Sequence, residues 1–92
     1  MSKFAVTTTA SFDKKIKKLD RQVAKRILER LYGLASLENP QERCKPLTGP
    51  LVGLWRLRAG NYRVMLDIRT DVLVIVALDV DHRSRIYEHP GP

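Results

Sequence analysis

The chain has 92 residues and 43% of them are hydrophobic, so it is long enough for one small domain and too apolar for a disordered tail. Lysine and arginine number 17 against 10 acidic residues, which gives a formal net charge of +7. This charge favours a polyanionic partner, such as nucleic acid, an anionic membrane surface or an acidic protein, and we expect residues 1–92 to form a single domain.

The first predicted elements are a strand and a helix. In the strand, over residues 3–9, Phe4 and Val6 alternate with polar neighbours. Thr9 or Ser11 then supplies a side-chain oxygen that can cap a helix. The apolar residues that recur at helical spacing in this helix are Phe12, Ile16 and Leu19.

A second helix is predicted after Asp20, which can serve as its cap. It extends to about residue 37, because Asn39-Pro40 disfavours further helix. Each of the two helices therefore has one face suited to a hydrophobic core. In the second helix this face consists of Val23, Ile27, Leu31 and Leu34, widened by Ala24, Leu28 and Ala35.

After a loop at residues 41–50, the spacing of the apolar residues changes to the alternation that is typical of strands. Gly60-Asn61 and Thr70-Asp71 are suited to tight hairpin turns between these strands. The last long strand is apolar on both faces, which predicts a position in the interior of the sheet. The predicted strands cover residues 51–58, 62–69 and 72–80, with a short final strand at 83–87.

The order of these elements predicts the fold class. Helices and strands that are segregated along a chain are typical of α+β domains. We expect an N-terminal strand and a helical hairpin packed on one face of an antiparallel sheet, which leaves the other face available for function.

Three arginines are predicted to cluster on that other face. Alternation directs Arg56 and Arg58 away from the helices, and a two-residue turn at Gly60-Asn61 places Arg58 opposite Arg63. Like charges directly opposite each other destabilise a sheet. A bound phosphate would relieve the repulsion, because arginine binds phosphate in a bidentate manner. The alternative is a surface ion network in which Asp67 and the later acids neutralise the arginines.

A second polar cluster follows the last long strand and contains His82, Arg83, Arg85 and Tyr87. Tyr87 can stack on a nucleotide base, and Arg83 or His82 can transfer protons or stabilise a reacting phosphate. The alternative is a solvated basic strand end in which the histidine has no catalytic role.

Several kinds of site are excluded by residues that the chain lacks. It has no P-loop, no glycine-rich dinucleotide loop and no metal-ligand spacing, and its only histidines are His82 and His89. The single cysteine, Cys44, excludes an intramolecular disulfide and suits a reducing cytoplasm. The apolar run at residues 72–78 is too short to span a bilayer, and residues 1–9 lack a signal-peptide pattern. We therefore expect a cytoplasmic protein with no cofactor, no metal and no membrane partner.

Two segments resemble the RelE family of toxins, part of the RelE/ParE superfamily. Residues 54–64, Leu-Trp-Arg-Leu-Arg-Ala-Gly-Asn-Tyr-Arg-Val, are similar to the strand pair in which a basic-x-basic strand turns into Tyr-Arg. Residues 80–87, Val-Asp-His-Arg-Ser-Arg-Ile-Tyr, resemble the C-terminal motif Val-Gly-His-Arg with a tyrosine shortly after it. The helical hairpin and the segment at 45–49 follow the family order, so the resemblance covers nearly the whole chain and implies a RelE-like fold.

The resemblance implies the toxin of a type II toxin–antitoxin system. RelE-type members are metal-independent endoribonucleases that cut mRNA in the ribosomal A site through the RNA 2′-OH. Their expected partners are the ribosome with its mRNA and a cognate antitoxin, with operator DNA bound only through the toxin–antitoxin complex. Carried over by position, the implied catalytic residues are Arg56, Arg63, Arg83 and Tyr87. Arg58, His82 and Arg85, which belong to the two polar clusters, are the expected substrate-binding residues.

One departure from the family leaves alternatives open. The best-studied members have a lysine where this chain has Leu54, so the general base is not identified. Arginine stays protonated in proteins, which makes Arg56 unsuited to that role, although His82 can serve or the arginines can acidify the 2′-OH electrostatically. The alternatives are a ParE-type inhibitor of DNA gyrase, which shares the fold, and a catalytically inactive relative that binds only antitoxin and operator DNA.

Overall fold

The computed structural model describes residues 3–82. The chain begins with strand β1 (Ala5–Thr8), which leads into helices α1 (Ala10–Lys17) and α2 (Arg21–Gly33). Strands β2 (Lys45–Pro46), β3 (Trp55–Ala59), β4 (Tyr62–Arg69) and β5 (Val74–His82) follow. Short 3-10 turns at Leu34–Ser36, Pro40–Arg43 and Gly49–Leu51 connect α2 to β3.

Both helices begin at side-chain caps that the sequence predicts. Of the two candidates for α1, Thr9 is the cap, and its hydroxyl accepts a hydrogen bond from the Phe12 N–H at 3.1 Å. The Asp20 carboxylate accepts from the Gln22 N–H at 3.0 Å and caps α2. Each cap satisfies a backbone donor that lacks a partner within the helix.

Helix α2 ends earlier than predicted, at Gly33, and the chain continues as a 3-10 turn. The Ala35 carbonyl accepts the backbone N–H groups of Lys3 and Phe4, both at 2.8 Å. Because this carbonyl binds the segment that enters β1, it is not part of a regular helical ladder. The end of α2 is therefore fixed by a tertiary contact, before the chain reaches Pro40.

The five strands form one sheet in the order β1-β5-β4-β3-β2. The β2–β3, β3–β4 and β4–β5 pairs are antiparallel, as predicted for the meander, whereas β1 pairs with β5 in parallel. The prediction of a wholly antiparallel sheet is thus wrong for β1, and the sheet is mixed. A hairpin imposes antiparallel pairing, but no hairpin joins β1 to β5, so local connectivity does not set their relative direction.

The strand bounds differ from the prediction where turns intervene. Strand β3 begins only at Trp55, because Gly49–Leu51 is a 3-10 turn and Gly53 has a φ of 98°. The predicted loop at 41–50 contains the short edge strand β2, where Pro46 is tolerated because an edge strand need not donate on both sides. Strand β5 lies between β1 and β4, which confirms its interior position.

The hydrophobic core lies between the helices and one face of the sheet. Phe12, Ile27 and Leu31 of the helices are at most 1% exposed. The helices therefore cover one sheet face, as predicted. Neither their length nor their hydropathy is sufficient for any helix within residues 3–82 to span a membrane. The buried strand residues of this core are Leu57, Ala59, Val64, Leu66, Ile75, Ala77 and Val80.

Candidate functional site

The β3–β4 hairpin has the register that the sequence predicts. Arg58 lies opposite Arg63, and Arg56 lies opposite Met65. Gly60, at the turn, has a φ of 62°, which a residue without a Cβ adopts at little cost. Since paired residues on antiparallel strands share a face, the hairpin brings the three arginines to one side of the sheet.

The neighbouring strands extend this arrangement into two rows. Lys45 on β2 lies opposite Arg56, so the first row runs from Lys45 through Arg56 and Met65 to Asp79 on β5. The second row runs from Arg58 through Arg63 to Asp81. We call the four cations of these rows, Lys45, Arg56, Arg58 and Arg63, the basic face.

Lys45 is the member of the basic face that the sequence analysis missed. It stands in a segment predicted as a loop, and a two-residue strand is too short to show alternation. This strand is defined by its pairing with β3, which local residue spacing does not predict. The one available signal was Pro46, which suits an edge strand as well as a loop.

The arginines of the basic face differ in exposure, which corrects one expectation. Arg58 is exposed and Arg56 is half-buried, but Arg63 is only 4% exposed. Its strand, β4, is the middle strand of the sheet and has a neighbour on each side. The prediction that all three arginines lie on an open surface is therefore wrong for Arg63, whose Nη1 donates to the Tyr62 carbonyl at 3.3 Å.

The two carboxylates at the end of the rows bind a lysine from helix α1. The Lys15 ammonium lies 3.0 Å from an Asp79 carboxylate oxygen and 3.3 Å from one of Asp81. The pKa of Lys15 is raised: burial alone would lower it, but the hydrogen bonds and charges of Asp79 and Asp81 together outweigh burial. The later acids of the predicted ion network are thus engaged at least in part by α1.

His82 lies on the other face of the sheet. It pairs with Tyr62, which follows the inward-facing pattern of Val64 and Leu66, and the two rings meet edge to face at 5.3 Å. The ring of His82 lines a cleft of ≈ 550 Å³ together with Lys15 and Lys18. The register therefore places the His82 ring beside Tyr62, on the helix side of the sheet, and its role in substrate binding stays a prediction.

A β-bulge determines which side chains at the end of β5 face the core. Met65 pairs with Asp79 but Leu66 pairs with Ala77, so Leu78 is an extra residue on β5. Before the bulge the buried side chains are at odd positions, Ile75 and Ala77, and after it the buried side chain is at an even position, Val80. Nothing in the local sequence marks this position.

Three predicted site residues, Arg83, Arg85 and Tyr87, lie outside the described residues. Within residues 3–82, no cluster of three or more histidine, cysteine or acidic side chains is arranged to hold a metal ion. In the same range, no buried side-chain nitrogen or oxygen lacks a hydrogen-bond partner. Among these residues, the basic face brings four cations from three strands to one side of the sheet.

Known proteins have a similar sequence and a similar fold. The family model described as the ParE toxin of the type II toxin–antitoxin system parDE matches residues 6–87. Toxin RelG of Mycobacterium tuberculosis is 37% identical over 81 residues, which are 88% of this chain and 90% of that protein.

Solved structures extend the similarity to the fold. The RelBE2 toxin–antitoxin complex of M. tuberculosis contains a chain with a TM-score of 0.80 and 29% identity, covering 91% of this chain and 95% of the other. The archaeal RelE–RelB complex of Pyrococcus horikoshii gives a TM-score of 0.71 and 28% identity, with 90% and 98% covered. The mixed sheet under a helical hairpin is thus a RelE-like α+β fold, and the chain belongs to the RelE/ParE superfamily of toxins from type II toxin–antitoxin systems.

Proposed function

We propose that this toxin is a ribosome-dependent endoribonuclease that cuts mRNA in the A site. The observation that carries the proposal is the basic face, where Lys45, Arg56, Arg58 and Arg63 occupy adjacent rows of one sheet surface. Like charges so close together cost stability unless an anion accompanies them. A phosphodiester is the anion that arginine pairs match best.

The chemistry requires no metal or cofactor. The 2′-hydroxyl of the RNA loses its proton to solvent water and its oxygen attacks the adjacent phosphorus, while the bond from phosphorus to the 5′-oxygen breaks. The products are a 2′,3′-cyclic phosphate and a 5′-hydroxyl, whose oxygen takes up a proton from solvent water. Negative charge on the phosphate oxygens increases in the transition state, and fixed cations stabilise it.

The cations of the basic face have different roles because they differ in exposure. Lys45 and Arg58 are exposed and Arg56 is half-buried, so these three side chains are the ones able to contact the phosphate. Arg63 is buried between Arg58 and Asp81 and contributes a fixed positive charge beneath the site. From the resemblance, Arg83 stabilises the charge that develops on the leaving group and Tyr87 stacks on a base. Arg85, in the same basic segment, is expected to bind the substrate.

The test is cleavage of mRNA on programmed ribosomes, read by primer extension. We expect cuts within the A-site codon, and we expect Arg56→Ala and Arg58→Ala each to slow cleavage about 10²-fold or more, as for loss of one electrostatic donor. Arg69→Ala is the control, since Arg69 is an exposed arginine that lies on the neighbouring strand β4, at the end far from Arg63 and opposite Val74. Equal rates for the wild type and Arg58→Ala would contradict the assignment.

The partner that restrains the toxin is proposed to be a cognate antitoxin. The M. tuberculosis RelBE2 and P. horikoshii RelE–RelB structures are complexes of this kind. A net charge of +7 favours an acidic segment against the basic face. Co-expression with the product of the neighbouring reading frame should give a stable complex that does not cleave mRNA. Operator DNA should bind that complex and not the isolated toxin.

A second candidate function is inhibition of DNA gyrase. The observation that favours it is the matching family model, which is described as the ParE toxin of parDE systems. The two functions differ in a supercoiling assay with purified gyrase, which an endoribonuclease leaves unaffected. Inhibition of supercoiling without cleavage on ribosomes would favour the gyrase alternative, and absence of both activities would favour an inactive relative.

A further inference from the structure

The acids beside the basic face have a structural role at the end of the sheet. Strand β1 ends at Thr8, opposite Ala77, whereas β5 continues to His82. Along this extension the Asp79 carboxylate accepts the Val80 N–H at 2.9 Å, and the Asp81 carboxylate accepts the His82 N–H at 3.0 Å. The carboxylates thus satisfy backbone donors of β5 where its neighbour β1 is missing.

The same acids lie close to the proposed phosphate site. Asp81 is the cross-strand partner of Arg63, and Asp79 is the partner of Met65, which itself pairs with Arg56. A carboxylate one strand away from an arginine competes with a phosphate for that arginine and also repels the phosphate. Asp79 and Asp81 therefore stabilise the sheet edge, but their negative charge weakens the binding of a phosphate to the basic face.

Lys15 of helix α1 binds both of these acids. Its ammonium donates to Asp79 and Asp81, each at 3.3 Å, and Ser11 of the same helix donates to Asp79 at 3.4 Å. The side chain of Lys15 is 41% exposed, and those of Asp79 and Asp81 are 33% and 30% exposed. One cation thus holds both carboxylates against α1, within a partly desolvated cluster.

We propose that Lys15 is a positioning residue for the basic face. By holding Asp79 and Asp81 and cancelling part of their charge, it preserves the affinity of Arg56, Arg58 and Lys45 for an RNA phosphate. Lys15 itself does not contact the phosphate in this scheme. The inference rests on the proposed function, because the phosphate in question is that of the RNA substrate.

The experiment measures binding of a short single-stranded RNA with 2′-O-methyl groups, which block attack by the 2′-oxygen. Fluorescence anisotropy at low salt gives the dissociation constant for each variant. We expect Lys15→Met to weaken binding about three- to fivefold, the range for a partly exposed ion pair. We expect Lys15→Arg to retain wild-type affinity, and Asp79→Asn/Asp81→Asn to bind more tightly than the wild type.

The decisive comparison uses the variant without the two acids. The asparagine side chains still offer an oxygen to the Val80 and His82 N–H groups, so the sheet edge is kept. In this background Lys15→Met should have no more effect than Lys14→Met, which removes the same charge from an exposed neighbouring position on α1. Thermal melting of every variant checks that α1 remains packed.

The outcomes separate the inference from the function on which it rests. If Arg58→Ala weakens binding but Lys15→Met matches Lys14→Met, the basic face is correct and the role of Lys15 is wrong. The role is also wrong if Lys15→Met weakens binding equally with and without the acids. If the wild type and Arg58→Ala bind the RNA equally, the proposed phosphate site fails and the inference fails with it.

Discussion

Arg63 is the residue whose environment most constrains what the basic face can do. At 4% exposure its guanidinium has exchanged water for protein partners, among them the Tyr62 carbonyl. A buried charge is stabilised by the polar groups around it, and its removal leaves those groups without hydrogen-bond partners. A substitution at Arg63 therefore mixes effects on stability and on activity, which is why the exposed Arg58 is the better probe of the site.

Cys44 leads to a prediction about chemical reactivity. Burial raises the pKa of its thiol from 9.0 to about 11, and the sulfur donates to the Pro40 carbonyl at 3.6 Å. At pH 8 the thiolate fraction, which is the reactive form, is then about a hundredfold lower than in an ordinary thiol. We expect iodoacetamide to alkylate the folded protein about a hundredfold more slowly than the same protein unfolded in urea.

The direction of the pH dependence follows from the same shift. Because the folded state has the raised pKa, the stability associated with the neutral thiol is complete below pH 9 and is lost as the pH rises towards about 11. Alkylation of the folded protein should therefore accelerate up to that pH. An alkylation rate at pH 8 that is the same in the folded and urea-unfolded protein would show that the thiol is not protected.

At the level of elements, the most informative contact is the one that joins α1 to the sheet. The Thr9 hydroxyl accepts from the Phe12 N–H and also donates to the Leu78 carbonyl at 2.7 Å. Leu78 is the bulged residue of β5, so a single side chain caps α1 and fixes it beside the irregular part of the strand. The position of Lys15 over Asp79 and Asp81 depends on this anchoring.

We expect Thr9→Ala to lower the free energy of unfolding by about 1–2 kcal/mol, the usual cost of losing a helix cap. Thr9→Ser, which keeps the hydroxyl, should lose much less. Thr7→Ala is the control, because Thr7 lies on β1 with its side chain exposed. Urea denaturation measures all three variants, and a Thr9→Ala variant as stable as Thr7→Ala would contradict the role of this hydroxyl.

The sequence predicted those elements whose geometry depends on nearby residues. Both helix caps, the apolar faces and the opposition of Arg58 and Arg63 follow from local spacing, and the structure has them. The parallel pairing of β1, the strand at Lys45 and the bulge at Leu78 depend on contacts between distant parts of the chain. Alternation fails beyond a bulge because one extra residue reverses the parity of the faces.

For the whole molecule, the charge distribution determines how it approaches RNA. The net charge of +7 attracts any polyanion, so charge alone does not identify a site. The arrangement of the charges is more specific, because three accessible cations, Lys45, Arg56 and Arg58, lie on one sheet face. Their number determines the salt dependence of RNA binding.

Each cation that neutralises a phosphate releases condensed counterions, and for single strands the slope of log K against log salt is about −0.7 per contact. Three contacts at the basic face predict a slope of about −2 for the 2′-O-methyl RNA. Arg58→Ala should make the slope shallower by about 0.7, whereas Arg69→Ala, at the end of β4 that is far from the basic face, should leave it unchanged. If Arg69→Ala reduced the slope as much as Arg58→Ala, the RNA would be held by the overall positive charge, and the basic face would not be the phosphate site.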